Sequence, residues 1–465
     1  MEHLLRGPLV VLLLLVSLSG FCLEADFSGT ETLTTDPQPM QYQQFTGSLT
    51  HDLAPFHFIA SLLATNDDKY KASFSDSFWA GYYFMLLDGG LSFDLAPFHL
   101  RVGRLGHSDS VSSPYSLFIS SNPNRAVLAE FSYDDGRFFY SDRWLQLNYR
   151  SALYPDDRGA NYKVYGLHAR NLRFGFQDSV VYTGRSFDPE FFFNPSPGFF
   201  LQYTNTLAGN PWQQTGNDNS ILGFFLDYTA VDTWYAYAQI LVDDINANRI
   251  INPASYQNPD KIAWSLGGKL QTDFGTFGLF HAGATKYTFE PYGSHGYDSR
   301  YGYTYYPDST YPSFEGGTKP ILNEENYIGY LNGENNLSFK AEYSNVLYGF
   351  ALQAGLEFQL SGSKSPANPW HELWSYEEAG QGTKFLNDPV LEKKLTCSLL
   401  VKKPLGNWTF SLDGVLGYAW NALELSGSTI ADPTPGNAVW IWKPSTGNKL
   451  IARLGLGVGY SWKIN

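Results

Sequence analysis

From Leu450 to Asn465 the chain alternates apolar and polar residues, with only Ile451 out of phase. Leu450, Ala452, Leu454, Leu456, Val458, Tyr460, Trp462 and Ile464 fall on one face; Arg453, Gly455, Gly457, Gly459, Ser461 and Lys463 fall on the other. A period of two means a strand. It is longer than ordinary globular strands and carries its aromatics near the end, which suits a tilted strand crossing a hydrocarbon layer. The pattern recurs clearly at 408–420, 350–360, 337–347, 276–287, 262–272, 233–245 and 219–228. Weaker versions cover 172–182, 162–170, 137–152, 126–133, 91–105, 74–87 and 56–64. Sixteen or seventeen spans are counted back to about Gln44, and an even number requires either sixteen or one more strand near Asp26 to Thr35. The expected fold is all-β, a transmembrane antiparallel up-and-down β-barrel of 16–18 strands, with 18 favoured.

Connections alternate between tight and long. Leu405-Gly406, Tyr348-Gly349, Phe274-Gly275 and Arg170-Asn171 are tight, whereas 107–125, 183–218, 288–336, 361–393 and 422–446 are long. Short turns on one side and long loops on the other place the long ones at the outer end. Within 183–218, Pro195 and Pro197 keep the chain out of the sheet. That segment is expected outside the membrane or folded into the lumen, where it narrows the pore. Asp52-Leu-Ala-Pro-Phe-His-Phe58 repeats as Asp94-Leu-Ala-Pro-Phe-His-Leu100, which marks two equivalent turns or bulges.

Composition narrows the class. After residue 20 no run of about twenty apolar residues occurs, so membrane residence requires a closed barrel. Residues 1–25 read as a secretory signal: Arg6, the apolar stretch Leu9 to Leu18, then small residues, too short to span. Residues 26–465 would form the barrel. The two cysteines, Cys22 and Cys397, provide no disulfide framework, and Cys397 falls on an outward apolar face between Leu395 and Leu399. A net charge of −14 disfavours nucleic acid. Asn336-Leu-Ser and Asn407-Trp-Thr match the glycosylation pattern but would stay unmodified in a bacterial outer membrane.

The polar faces carry Arg150, Arg170, Arg173, Asp243, Lys269, Lys340, Glu342, Glu357, Lys402, Asp413 and Arg453. In lipid each would cost roughly 2–4 kcal/mol near the midplane, so all are expected to line a wet lumen. The same charges serve either as a ladder that holds the barrel's shape or as the wall of a pore for polar solutes. Loop 288–336 is rich in tyrosine, including Tyr301, Tyr303 and Tyr305; Trp212 and Trp370 lie beside polar residues in other loops. Such rings stack on sugars while neighbouring polar groups bond the edges, so these five are candidate glycan contacts. A loop packed on itself, or plugging the mouth, is the competing reading. No Gly-x-Ser-x-Gly, His-Glu-x-x-His or cysteine cluster occurs, so neither an enzyme nor a metal or other cofactor is expected.

Leu91-Ser-Phe-Asp, Leu100-Arg-Val-Gly-Arg104, Ser113-Pro-Tyr-Ser-Leu-Phe118, Tyr182-Thr-Gly-Arg-Ser186, Asn194-Pro-Ser-Pro197, Asn217-Asp-Asn-Ser-Ile-Leu-Gly223 and Tyr235-Ala-Tyr-Ala-Gln-Ile-Leu-Val-Asp-Asp244 lie within residues 91–245. In them the chain resembles the Wzi-type capsule-assembly family, outer-membrane barrels that hold polysaccharide at the cell surface. The resemblance implies a multi-pass barrel in the cell outer membrane, with surface polysaccharide as its partner. Outer-membrane lipid and, through the C-terminal strand, the barrel-assembly machinery are the other expected partners. The chain departs from the best-known members in having no helical pattern before its first strands. A general porin, passing small polar solutes without a specific ligand, is the alternative.

Overall fold

The computed structural model describes residues 23–464, apart from 37–38, 68, 70–80, 123, 152–155, 208–210, 212–217, 231–232, 246–258, 292–300, 313–317, 366, 368–381 and 429–438. The first strands are β1 (Leu23–Thr34), β2 (Met40–Leu53), β3 (Phe56–Thr65), β4 (Tyr83–Leu95), β5 (Phe98–Leu105) and β6 (Ala126–Asp134). Next come β7 (Phe138–Asn148), β8 (Arg158–Ala169), β9 (Leu172–Thr183), β10 (Asp218–Ala230), β11 (Trp234–Asp244), β12 (Lys261–Thr272) and β13 (Gly275–Ala284). A small hairpin, β14 (Thr310–Pro312) and β15 (Thr318–Pro320), precedes β16 (Asn336–Leu347), β17 (Phe350–Ser361), β18 (Glu392–Leu405) and β19 (Trp408–Trp420). A second hairpin, β20 (Leu423–Ser428) and β21 (Val439–Pro444), precedes the last strand, β22 (Lys449–Ile464).

Apart from the two hairpins, the strands form one 18-stranded sheet. β22 closes on β1 from Leu23↔Ile464 to Thr34↔Arg453, and every pairing is antiparallel, so the barrel has no free edge. Leu23–Ala25, assigned above to the leader, belong to β1; residues 1–22 lie outside the described part. The 91–105 segment is not one strand: the chain reverses at Ala96-Pro97, as it does at Ala54-Pro55, and both peptide bonds are cis. The repeated motif therefore forms two equivalent inner turns. Of the segment 74–87, only the part from Gly81 on is described, and β4 starts at Tyr83.

Alternation divides the two faces. Phe27, Phe98, Leu100, Val102, Phe174, Phe224, Leu266, Leu279, Phe339, Leu356, Leu416 and Leu456 are exposed on the outer wall, the apolar belt that a barrel in lipid requires. The largest buried cluster lies inside, where Leu117, Phe118, Tyr303, Tyr327, Ile328 and Tyr330 pack against Leu128, Tyr162, Ile221 and Phe280 of the wall.

Candidate functional site

In their described residues, two outer loops fold into the outer part of the lumen. Asp109, in the connection between β5 and β6, accepts hydrogen bonds from Tyr162 Oη (2.9 Å), Gln177 Nε2 (2.6 Å) and Gln239 Nε2 (3.1 Å) of β8, β9 and β11. The same carboxylate accepts from the backbone of Phe118 (2.9 Å) and Ile119 (3.2 Å), so one half-buried acid ties the loop to itself and to the wall. Farther round the ring, Tyr115 Oη donates to Glu357 of β17 (2.7 Å).

The connection between β13 and β16 packs on this loop. Arg158, fully buried at the start of β8, donates to the carbonyls of Gly302 and Thr304 (both 3.0 Å) and Tyr305 (3.3 Å). Tyr303 Oη donates to the Phe118 carbonyl at 2.7 Å, and His107 Nε2 meets Tyr305 Oη at 3.0 Å. The same connection carries a short helix at Asn323–Asn326. It pairs with Lys69 beyond β3 through Glu325 (2.6 Å) and lies 3.9 Å from Lys394 of β18 through Glu324. The plug thus touches strands around most of the ring. Burial, with the nearby Arg143 charge, pushes His107 down to about 3, so the imidazole stays neutral. Burial likewise raises the Tyr303 and Tyr305 phenols.

This placement changes the sugar-contact reading. Tyr303 and Tyr305 are buried in the plug, with rings packed on Phe289 and His107, and present no free face to a polysaccharide. These rings turn inward because burying them gains more than exposing them to water. Tyr301 is half-buried, its carbonyl 3.5 Å from Asn219 Nδ2. Trp212 and Trp370 lie outside the described residues. An exposed ring does occur at Tyr149, with the Arg150 guanidinium 5.1 Å from its centroid.

Arg150 is consequently not a lumen residue: β7 ends in a bulge at Asn148, and Arg150 sits beyond it, exposed, with φ 48°. Arg170 likewise falls outside the alternation, because β8 stops at Ala169 and the residue sits exposed in the turn at φ 59°. Arg173, Lys269, Lys340, Glu342, Glu357, Lys402, Asp413 and Arg453 alternate with the exposed Phe174, Leu270, Phe339, Leu356, Leu399, Leu412 and Leu454 and so fall on the opposite face, and Asp243 accepts from the Phe289 N–H of the infolded loop (3.0 Å). Arg173 pairs with Asp227 (2.5 Å), and Asp243 with Lys261 (2.9 Å). Lys340 pairs with Glu342 (2.9 Å), and Arg453 with Asp413 (2.8 Å). Lys269 lies 5.9 Å from the Phe280 ring centroid.

The described part of the connection after β9, 184–207, lies outside the lumen. Its helices, α1 (Pro189–Phe193) and α2 (Gly198–Leu207), lie as a flap on the outer wall of β7–β10. Asp188 caps α1 by accepting from the Glu190 and Phe191 N–H groups. Beneath the flap the outward face carries charges: Lys163 lies 3.6 Å from Asp142 and pairs in register with Asp178. Lys163 Nζ donates to the carbonyls of Asn194 (2.5 Å) and Ser196 (2.9 Å), while Asp178 accepts from the N–H groups of Gly198 (2.5 Å) and Phe199 (3.2 Å). Trp144 Nε1 donates to the Ser186 carbonyl at 2.6 Å. The flap leaves Phe193, Phe199, Phe200 and Tyr203 exposed. Asp109 and this charged patch were missed in the sequence; the first had no local signal. The second had one, since Lys163 and Asp178 stand where the alternation calls for apolar residues.

No protein-family model matches the chain, and no curated protein does. Among solved structures, the chain is similar to Wzi of Escherichia coli, an outer membrane protein involved in group 1 capsule assembly and a carbohydrate-binding β-barrel. The TM-score is 0.52 at 11% identity, covering 93% of this chain and 84% of that one. The fold is shared with outer-membrane barrels. OprD of Pseudomonas aeruginosa matches at TM-score 0.46 and 12% identity over 96% of each chain. OccK8 (OprE) of the same organism matches at 0.48 and 9% over 96% of this chain and 99% of that one. At such identities the likeness is one of fold.

Proposed function

We propose that this barrel resides in a bacterial outer membrane and holds polysaccharide at the cell surface. The observation that supports the reading is the plug. Loops bonded to Arg158, Gln177, Gln239 and Glu357 fill the outer lumen with buried side chains, an arrangement poorly suited to free passage of solutes. A closed barrel is left with its outer surface as the place to act, and the E. coli barrel of this fold binds carbohydrate. Tyr149 with Arg150 supplies an exposed ring beside a fixed cation, a pairing suited to an acidic sugar chain. Lipid around the belt and the assembly machinery at β22 complete the set of partners.

A general porin passing small polar solutes, without a specific ligand, is the second reading, favoured by the half-exposed Asp413–Arg453 pair on the lumen face. Planar-bilayer recording with and without the cell's own surface polysaccharide separates the two. Low conductance, with glycan retention that falls in Tyr149→Ala and Arg150→Ala, supports the binding reading. A large conductance indifferent to glycan overturns it.

A further inference from the structure

Beside the flap, the outer wall carries a groove of about 790 Å³, within the usual range for ligand sites. Leu91, Leu100, Val102 and Phe131 form its floor, and Phe192 and Phe193 of α1 form its side. Two observations decide what it takes. First, Leu100 and Val102 belong to the exposed apolar belt, so the groove continues the surface that faces hydrocarbon. Second, the polar atoms at its flap end are already engaged: Asp142 accepts from Asn161 Nδ2 (3.0 Å) and faces Lys163 and Tyr140, and the Pro195 carbonyl accepts from Tyr165 Oη (2.8 Å). A headgroup would find little to bond there, whereas a hydrocarbon chain needs none of these groups.

We propose that the groove is a binding site for one acyl chain of an outer-leaflet lipid, held between the wall and the flap. The leaflet follows from the flap, which descends from an outer loop. Phe193, exposed on the groove side, forms the ledge that separates this chain from bulk lipid. The ledge exists because Lys163 and Asp178 clamp the flap backbone to the wall; groove and clamp are one construction. This inference needs membrane residence but no polysaccharide.

The test uses the full chain in phospholipid vesicles containing a phospholipid with a photoactivatable diazirine in its acyl chain, with cross-links mapped by peptide mass spectrometry. Cross-linking should be several-fold higher at Val102, Phe131 and Phe193 than at Leu416 or Leu456 on the far wall. Filling the groove with Val102→Trp should remove the excess while the heat-modifiable gel mobility of the folded barrel persists. Phe193→Ala, at an exposed position that leaves the fold intact, should lower it as well. Even labelling around the belt, or an excess that survives Phe193→Ala and the filled groove, would overturn the proposal.

Discussion

Lys163 and Asp178 are cross-strand partners on the outward face of β8 and β9, and both bond the backbone of the same outer flap. A bare ion pair there would face hydrocarbon. Covered, its donors and acceptors are satisfied, which is the condition under which buried charge is tolerated. Replacing Lys163 by Met should therefore leave Asp142 and Asp178 buried without their cation and cost about 3–5 kcal/mol. Protease cleavage should rise within 189–207, while bilayer conductance stays unchanged because the flap lies outside the lumen. A rise in conductance would mean that the flap obstructs the pore after all.

The plug carries a pH dependence. Glu290 and Glu334 are both fully buried in the connection between β13 and β16, and burial raises the proton affinity of each; the Glu334 carboxylate adds to the rise at Glu290, while the hydrogen bond with Glu290 opposes it at Glu334. Glu334 is pushed up to about 7, with Lys286, Lys261 and Lys364 opposing the rises. Folded protein then binds protons more tightly than the unfolded chain. The stabilisation is complete below the ordinary carboxyl value of 4.5 and is lost as pH rises through about 7. Hydrogen exchange in 285–335 should be slower near about pH 5 than near about pH 8, beyond the intrinsic base catalysis of exchange. Glu334→Gln should flatten that difference; an unchanged profile would remove the pair from the explanation.

Cys397 is exposed on the outward face, between Leu395 and Leu399. In vesicles a membrane-partitioning maleimide should label it and a charged maleimide should not, with Cys397→Ser as the blank. Labelling by the charged reagent from the aqueous phase would place β18 outside the hydrocarbon layer.

Alternation, turn spacing and the absence of long apolar runs were enough to determine the barrel. These are local properties, and a strand with one greasy face and one wet face has few places to go except a closed sheet in lipid. The closing strand, the eighteen-strand count and the outer position of the long loops all follow from that logic. Boundaries were less secure at Arg150 and Arg170, where a bulge and a turn ended the alternation before the charge was reached.

Where the loops go was decided only by the tertiary structure. Tyr303 and Tyr305 read as surface rings because nothing local distinguishes a ring stacked on sugar from one buried against Phe289 or His107; the difference lies in contacts with Phe118 and Arg158, far away in sequence. The flap at 184–207 chose the outer wall over the lumen for a reason partly written in the chain, the charges at 142, 163 and 178 on an outward face. That reason becomes decisive only when β7, β8 and β9 bring the three together and leave hydrocarbon as the alternative to a cover.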